Sequence, residues 1–165
     1  MLALRYAYIL ALVVWLGGMV VLGALVAPTT FQVLQAASPD QGRALAGELF
    51  GLLVSRFHYF AYGAGAVLFV SLAVMAILGP RPASFAIRMG IITVMLAVAA
   101  YSGVVVLGEI SSLQRALGAL PSTLPAADPR RLRFDQLHQL STRLMTFNIV
   151  AALALLYWEA REHVR

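Results

Sequence analysis

Two histidines and one methionine are the side chains in this sequence best suited to binding chemistry. His58 lies in the stretch 56–60 and His138 in the stretch 137–143, and each stretch opens a long apolar run. Met145 follows His138 by about two helical turns. Because Cu(I) accepts imidazole and thioether ligands, these three residues are a candidate copper site, with Met19 of the first apolar run as the alternative to Met145. A haem clamped by the two histidines is less well matched, since both are predicted to lie at one end of a bundle.

Further polar side chains are predicted to gather on the same side of a membrane. Ionisable groups in or near a bilayer often belong to functional sites. This polar cluster comprises Arg56, Tyr59, Glu109, Asp135, Thr142 and Arg143. Its arginines are also suited to gripping phosphate or carboxylate groups of lipids or other anions. The structural alternative is that Arg56 or Arg143 pairs with Glu109 and that the histidines cap or bridge helices.

One face of the last apolar run is polar. Asp135, His138, Thr142 and Met145 follow one another at steps of three or four residues, so they share one face of a helix. Because lipid would require apolar side chains there, we expect this stripe to face the bundle interior.

Composition places this chemistry in a membrane. The 165 residues are 61% hydrophobic and 12% charged, whereas globular proteins are roughly 45–50% apolar. The net charge of +5 comes from scattered arginines without any lysine, which favours a lipid bilayer as partner and disfavours nucleic acid. Cysteine is absent, as are a nucleophile triad, a P-loop and a dinucleotide motif, so the sequence favours a protein that is not an enzyme.

Four apolar runs predict transmembrane helices at about 7–27, 57–78, 85–107 and 137–158, since about 20 residues cross a bilayer core. The first run also resembles a signal peptide, but it is too long and lacks an A-x-A cleavage site, so we expect it to be retained. The fourth has an uncharged stretch only at 144–158 and must extend upstream past Arg143.

The connections carry their own signals. Pro28 is expected to end the first span, and Ser38-Pro39-Asp40 is typical of a helix start. The helix that follows is predicted to be amphipathic and either to lie on the membrane surface or to extend into the second span. A short turn at 79–82 should make spans two and three antiparallel neighbours, and 118–129 reads as an irregular loop.

Small residues should let helices approach closely. Trp15, Gly17 and Gly18 in the first span, and Gly63 and Gly65 in the second, are predicted to serve helix packing. The same faces suit a homo-oligomer or a larger membrane complex.

The predicted fold is an all-α membrane protein. It is a single domain over residues 1–165, a bundle of four transmembrane helices with an amphipathic surface helix between spans one and two. Four spans place both termini on one side of the membrane and the two longer connections on the other. Arginines occur on both sides, and we expect the termini to be cytoplasmic.

An ordered set of short motifs resembles a bacterial membrane family, the domain of unknown function 4149, which is similar to the eukaryotic transmembrane protein 205. The motifs are Trp15-Leu16-Gly17-Gly18, Ala27-Pro28 with Phe31, Phe50-Gly51, Arg56-Phe57, the stretch 137–141 and Asn148. The resemblance implies a bacterial inner-membrane protein.

More distantly, the first span is similar to those of copper-resistance D proteins and of haem-binding, four-helix protoporphyrinogen oxidases. The copper link implies metal tolerance. The oxidases carry a histidine seven residues before the tryptophan and a basic residue three before that, where this chain has Tyr8 and Arg5. The leading hypothesis is therefore a non-enzymatic protein that handles copper or another small ligand; an accessory subunit of a larger complex and a haem-linked oxidoreductase are the alternatives.

Overall fold

The computed structural model describes residues 2–79, 84–117, 121 and 124–162. The regular structure of these residues is helical, and four of their helical stretches are long and apolar enough to cross a membrane. The stretches are Leu2–Ala37, Gly42–Leu78, Phe85–Leu117 and Pro129–Arg161. The four predicted spans are thus confirmed as helices, each longer than the sequence indicated.

The first stretch contains α1 (Leu2–Val21), a π-helical segment at Leu22–Val26 and α2 (Ala27–Ala37). Pro28 lies at the start of α2. A proline lacks the N–H donor, and its ring collides with the carbonyl four residues back. The π segment widens the backbone just before this point, with the Ala27 N–H donating to the Leu22 carbonyl. The helix therefore continues past Pro28, the residue predicted to end the first span.

The second stretch is a single helix, α3 (Gly42–Leu78). The segment predicted to be amphipathic is the first part of α3, so it extends into the second span and is not a separate surface helix. A tight turn joins α2 to α3, and a Cβ on Gly42 would collide with the Leu34 carbonyl group. Glycine is required here because the two backbones meet.

The third stretch contains α4 (Phe85–Ala100), a second π-helical segment at Tyr101–Val106 and α5 (Leu107–Leu117). Residues 80–82 of the turn predicted at 79–82 lie outside the described residues. Residues 118–120 and 122–123 of the predicted loop do so too.

The fourth stretch is α6 (Pro129–Glu162), and its start has a clear local cause. The Asp128 carboxylate accepts a hydrogen bond from the Arg130 backbone N–H at 2.8 Å, and Pro129 takes the first helical position. This is the N-cap arrangement that satisfies an otherwise unpaired helix donor. The Arg130 side chain also donates to Asp128, at 3.1 and 2.9 Å.

These bonds predict how Asp128 affects stability with pH. The hydrogen bonds from the Arg130 side chain and backbone hold the pKa of Asp128 below its usual value. The stabilisation is therefore present above the unfolded-state pKa of about 3.9 and is lost as pH falls through the lower folded-state pKa. We expect Asp128→Ala to lower the melting temperature slightly at pH 7 and to have less effect at pH 2–3 in acid-stable detergent. Asp128→Asn should keep much of the cap; a loss from Asp128→Ala that is equal at both pH values would contradict this account.

The four long helices are arranged as a square. Helix α1 packs against α3 and α6, and α4 packs against the same two helices. Helices α3 and α6 therefore occupy opposite corners. We call the end that holds Leu2, Leu78, Phe85 and Glu162 the terminal end, and the opposite end, with Ala37, Gly42, Leu117 and Pro129, the loop end.

The core is apolar and lies in the terminal half and the centre of the bundle. Fully buried members from all four long helices include Leu12, Trp15, Leu68, Leu72, Ile92, Met95 and Leu155. The first stretch has 36 residues, about 54 Å at ~1.5 Å per residue, against a hydrocarbon core of roughly 30 Å. The helices must therefore continue beyond the bilayer at one end or both.

Candidate functional site

A buried charge cluster lies at the terminal end. The Arg88 side chain donates to a Glu159 carboxylate oxygen at 2.7 Å, and Arg5 donates to the other oxygen at 2.5 Å. The Arg88 guanidinium lies 4.8 Å from the centre of the Tyr8 ring, a cation–π distance. Arg88 is 1% exposed and Tyr8 is fully buried. One carboxylate thus ties α1, α4 and α6 together.

Buried ions of this kind are expensive to desolvate unless they are paired and hydrogen-bonded. Within a membrane bundle they mark either a functional site or a fixed register between helices. Arg5 and Arg88 lie on the terminal side, and in the sequence Glu159 marks only the end of the fourth uncharged run. The missed signal is that Glu159 is an acid on that same side, at the end of the fourth uncharged run.

The predicted polar cluster at the loop end is organised differently from the expectation. Glu109 forms a two-pronged ion pair with Arg133, with nitrogen–oxygen distances of 2.7 and 2.9 Å. The suggested partners were Arg56 and Arg143. Both are exposed, and no hydrogen bond or ion pair joins either one to another described residue.

Three of the four residues of the polar stripe on α6 do not face the interior. Asp135, His138 and Thr142 are exposed, while the buried side chains in this part of α6 are Leu137 and Asn148. Asp135 lies 4.0 Å from Arg131 on its own helix. That prediction is wrong because steps of three and four identify a shared face but not the direction in which the helix turns it.

His58 has the most constrained side chain among the predicted ligands. Its Nδ1 lies 2.8 Å from the Val54 carbonyl oxygen. Because a carbonyl can only accept, Nδ1 carries the proton in this bond, and a neutral ring then presents the lone pair of Nε2. The ring packs against Gly103 of the second π segment and contacts Tyr62 edge-on.

The other two predicted ligands have different surroundings. Met145 is partly buried, and its Cε lies 3.2 Å from the position of a Cβ on Gly23, in the first π segment. His138 is exposed and stacks on Phe134 of its own helix. The described residues contain no group of three or more histidine, cysteine, aspartate or glutamate side chains that could hold a metal.

His58 and Met145 nevertheless lie at a similar depth. Arg88 and Glu159 touch between antiparallel helices. Gly103 comes fifteen residues after Arg88, and Met145 comes fourteen residues before Glu159. At ~1.5 Å per residue both are about 22 Å from the ion pair. Each contacts a π segment, and such segments are frequent at functional sites.

The predicted packing glycines fall into two groups. A Cβ on Gly18 would collide with the Phe57 ring, and one on Gly65 would collide with Leu96 and Trp15. Nothing lies within 4 Å of a Cβ on Gly17 or Gly63. Those two glycines therefore do not mediate close contacts among the described helices, contrary to the expectation.

Comparisons with known proteins bear on the first three helical stretches. No curated protein and no solved structure matches the chain. A family match covers residues 10–119, which include both π segments, His58 and Gly65 but not Met145 or Glu159. The matched residues make up more than half of the sequence, and the chain therefore belongs to the family described as Domain of unknown function (DUF4149).

Proposed function

We propose that this integral membrane protein is not an enzyme and that it binds Cu(I), or another small soft ligand, at the loop end of the bundle. The observation that carries the proposal is the hydrogen bond from His58 Nδ1 to the Val54 carbonyl. In the neutral ring this bond leaves the lone pair of Nε2 available to a metal. Metal-binding histidines commonly donate their other ring N–H in this way.

The ligand types of these side chains suit a soft metal. Nε2 of His58 and the thioether of Met145 are both ligands of Cu(I), and they lie at a similar depth. The exposed His138, at the loop end of α6, would receive the metal from solvent. Copper would supply no reaction here; the chain's own residues would bind and orient it.

The same proposal includes a location. We place the protein in a bacterial inner membrane with cytoplasmic termini, so that the loop end faces outward. The resemblance of the first span to those of copper-resistance D proteins supports a role in metal tolerance.

The test is metal analysis of the purified protein after loading with Cu(I). We expect His58→Ala and Met145→Leu each to weaken the affinity for copper at least tenfold, a factor that corresponds to about 1.4 kcal/mol. His138→Ala should slow loading more than it weakens binding. Met75→Leu is the matched control, because Met75 packs against the core and is not a proposed ligand.

Equal copper content in the unmodified protein, His58→Ala and Met145→Leu would overturn the copper site. An absorbance scan of protein expressed with a haem supply addresses the third hypothesis, since a Soret band would assign haem instead.

A role as a subunit of a homo-oligomer or larger complex is the second candidate. Gly17 and Gly63 lie on the neighbouring helices α1 and α3 and are open at the Cβ position. Open glycines in membrane helices permit close approach by a further helix. Gly17→Leu with Gly63→Leu should then abolish co-purification of a stoichiometric partner or self-association, and an unchanged assembly would count against this role.

A further inference from the structure

Asn148 is a polar residue in the bundle interior that the proposed copper site does not use. It is 5% exposed, and its Oδ1 accepts no hydrogen bond from any described residue. A buried amide oxygen that is left without a donor destabilises a fold, because the group has lost its hydrogen bonds to water. An acceptor in such a position therefore calls for a donor from outside the described residues.

Two further polar groups lie at the same level of the bundle. Asn148 comes eleven residues before Glu159, and Ala99 comes eleven residues after Arg88 on the antiparallel helix α4. The Tyr62 hydroxyl lies 3.4 Å from the Ala99 carbonyl oxygen, a long contact that leaves the carbonyl with capacity for a second donor. The second π segment begins two residues after Ala99.

The apolar core closes this level towards the terminal end of the bundle. The Tyr62 ring contacts His58, which lies nearer the loop end. On the terminal side, Trp15, Leu68 and Met95 are all buried and form part of the apolar core.

We propose that Asn148, Tyr62 and the Ala99 carbonyl form an internal hydration site that holds an ordered water molecule in the loop-side half of the bundle. A buried water makes about three hydrogen bonds. Water can donate to Asn148 Oδ1 and to the Tyr62 hydroxyl oxygen, while that hydroxyl donates to the Ala99 carbonyl. The site does not depend on copper binding.

X-ray radiolytic labelling of the full-length protein in detergent tests this site, because radicals formed from a bound water oxidise the side chains beside it. We expect Tyr62 to be labelled and Asn148→Leu to reduce that labelling several-fold. Met95, which is fully buried in the core, should stay unlabelled in both proteins. Ile149 is a partly buried neighbour of Asn148 in the chain. In the control variant Ile149→Leu, Tyr62 should be labelled as strongly as in the unmodified chain.

A pair of variants of equal shape keeps the test decisive if Asn148→Leu does not fold. Asn148→Thr retains a hydroxyl acceptor, whereas Asn148→Val does not. Thr should preserve the labelling of Tyr62, and Val should reduce it. Equal labelling in these two variants, or labelling of Met95 as strong as that of Tyr62, would overturn the hydration site.

Discussion

Replacing Glu159 by glutamine is expected to destabilise the bundle by about 3–5 kcal/mol, because the substitution removes one ion from a buried pair and leaves the other without its charge partner. Arg88 is 1% exposed and cannot turn to solvent without opening the contact between α4 and α6. Arg5 loses the same carboxylate. Thermal unfolding in detergent, followed by circular dichroism, measures the effect.

Two controls separate the buried pair from a general loss of charge. Glu48→Gln removes an exposed acid and should leave the melting temperature nearly unchanged. The double variant Arg88→Met with Glu159→Leu removes both ions of the pair and should recover much of the stability that Glu159→Gln loses, since well-packed apolar residues often replace a buried ion pair without loss. If Glu159→Gln has the same melting temperature as the unmodified protein, the cluster does not hold these helices together.

Substituting Gly65 by alanine is expected to produce the second large effect, a loss of about 1–3 kcal/mol from overpacking. The added methyl group would meet Trp15 Cζ3 and Leu96 Cγ, each at 2.9 Å. Trp15 is rigid and almost fully buried, so α3 must move away from α1 to make room.

Gly63 provides a matched comparison two residues away on the same helix. A methyl group there meets nothing within 4 Å, and alanine has a higher helix propensity than glycine by up to about 1 kcal/mol. Gly63→Ala should therefore be neutral or stabilising in the same unfolding assay. Equal effects of the two substitutions would show that the contact among Gly65, Trp15 and Leu96 does not limit helix packing.

The four helices could be predicted from the sequence because a bilayer demands long apolar runs. Their ends could not, because helix continues wherever nothing breaks it. Pro28 is accommodated by a π segment, and the amphipathic start of α3 joins the second span without interruption. Neither local pattern distinguishes a helix that stops at the membrane surface from one that continues past it.

The candidate site was harder to predict, because periodicity fixes which residues share a face and not where that face points. Asp135 and Thr142 share a face that turns outward, while Asn148 turns inward. Glu109 pairs with Arg133 because α5 and the start of α6 lie side by side, a contact between segments far apart in the sequence. The burial of Glu159 likewise depends on α1 and α4.

The position of Glu159 along the chain has a consequence for biosynthesis. Its two arginine partners lie in the first and third helical stretches, whereas Glu159 lies at the end of the fourth. A ribosome therefore delivers Arg5 and Arg88 to the membrane well before the carboxylate that joins them. Until the last helix inserts, these two cations lack that counter-ion, so the junction of α1, α4 and α6 can form only after the fourth helical stretch has entered the membrane.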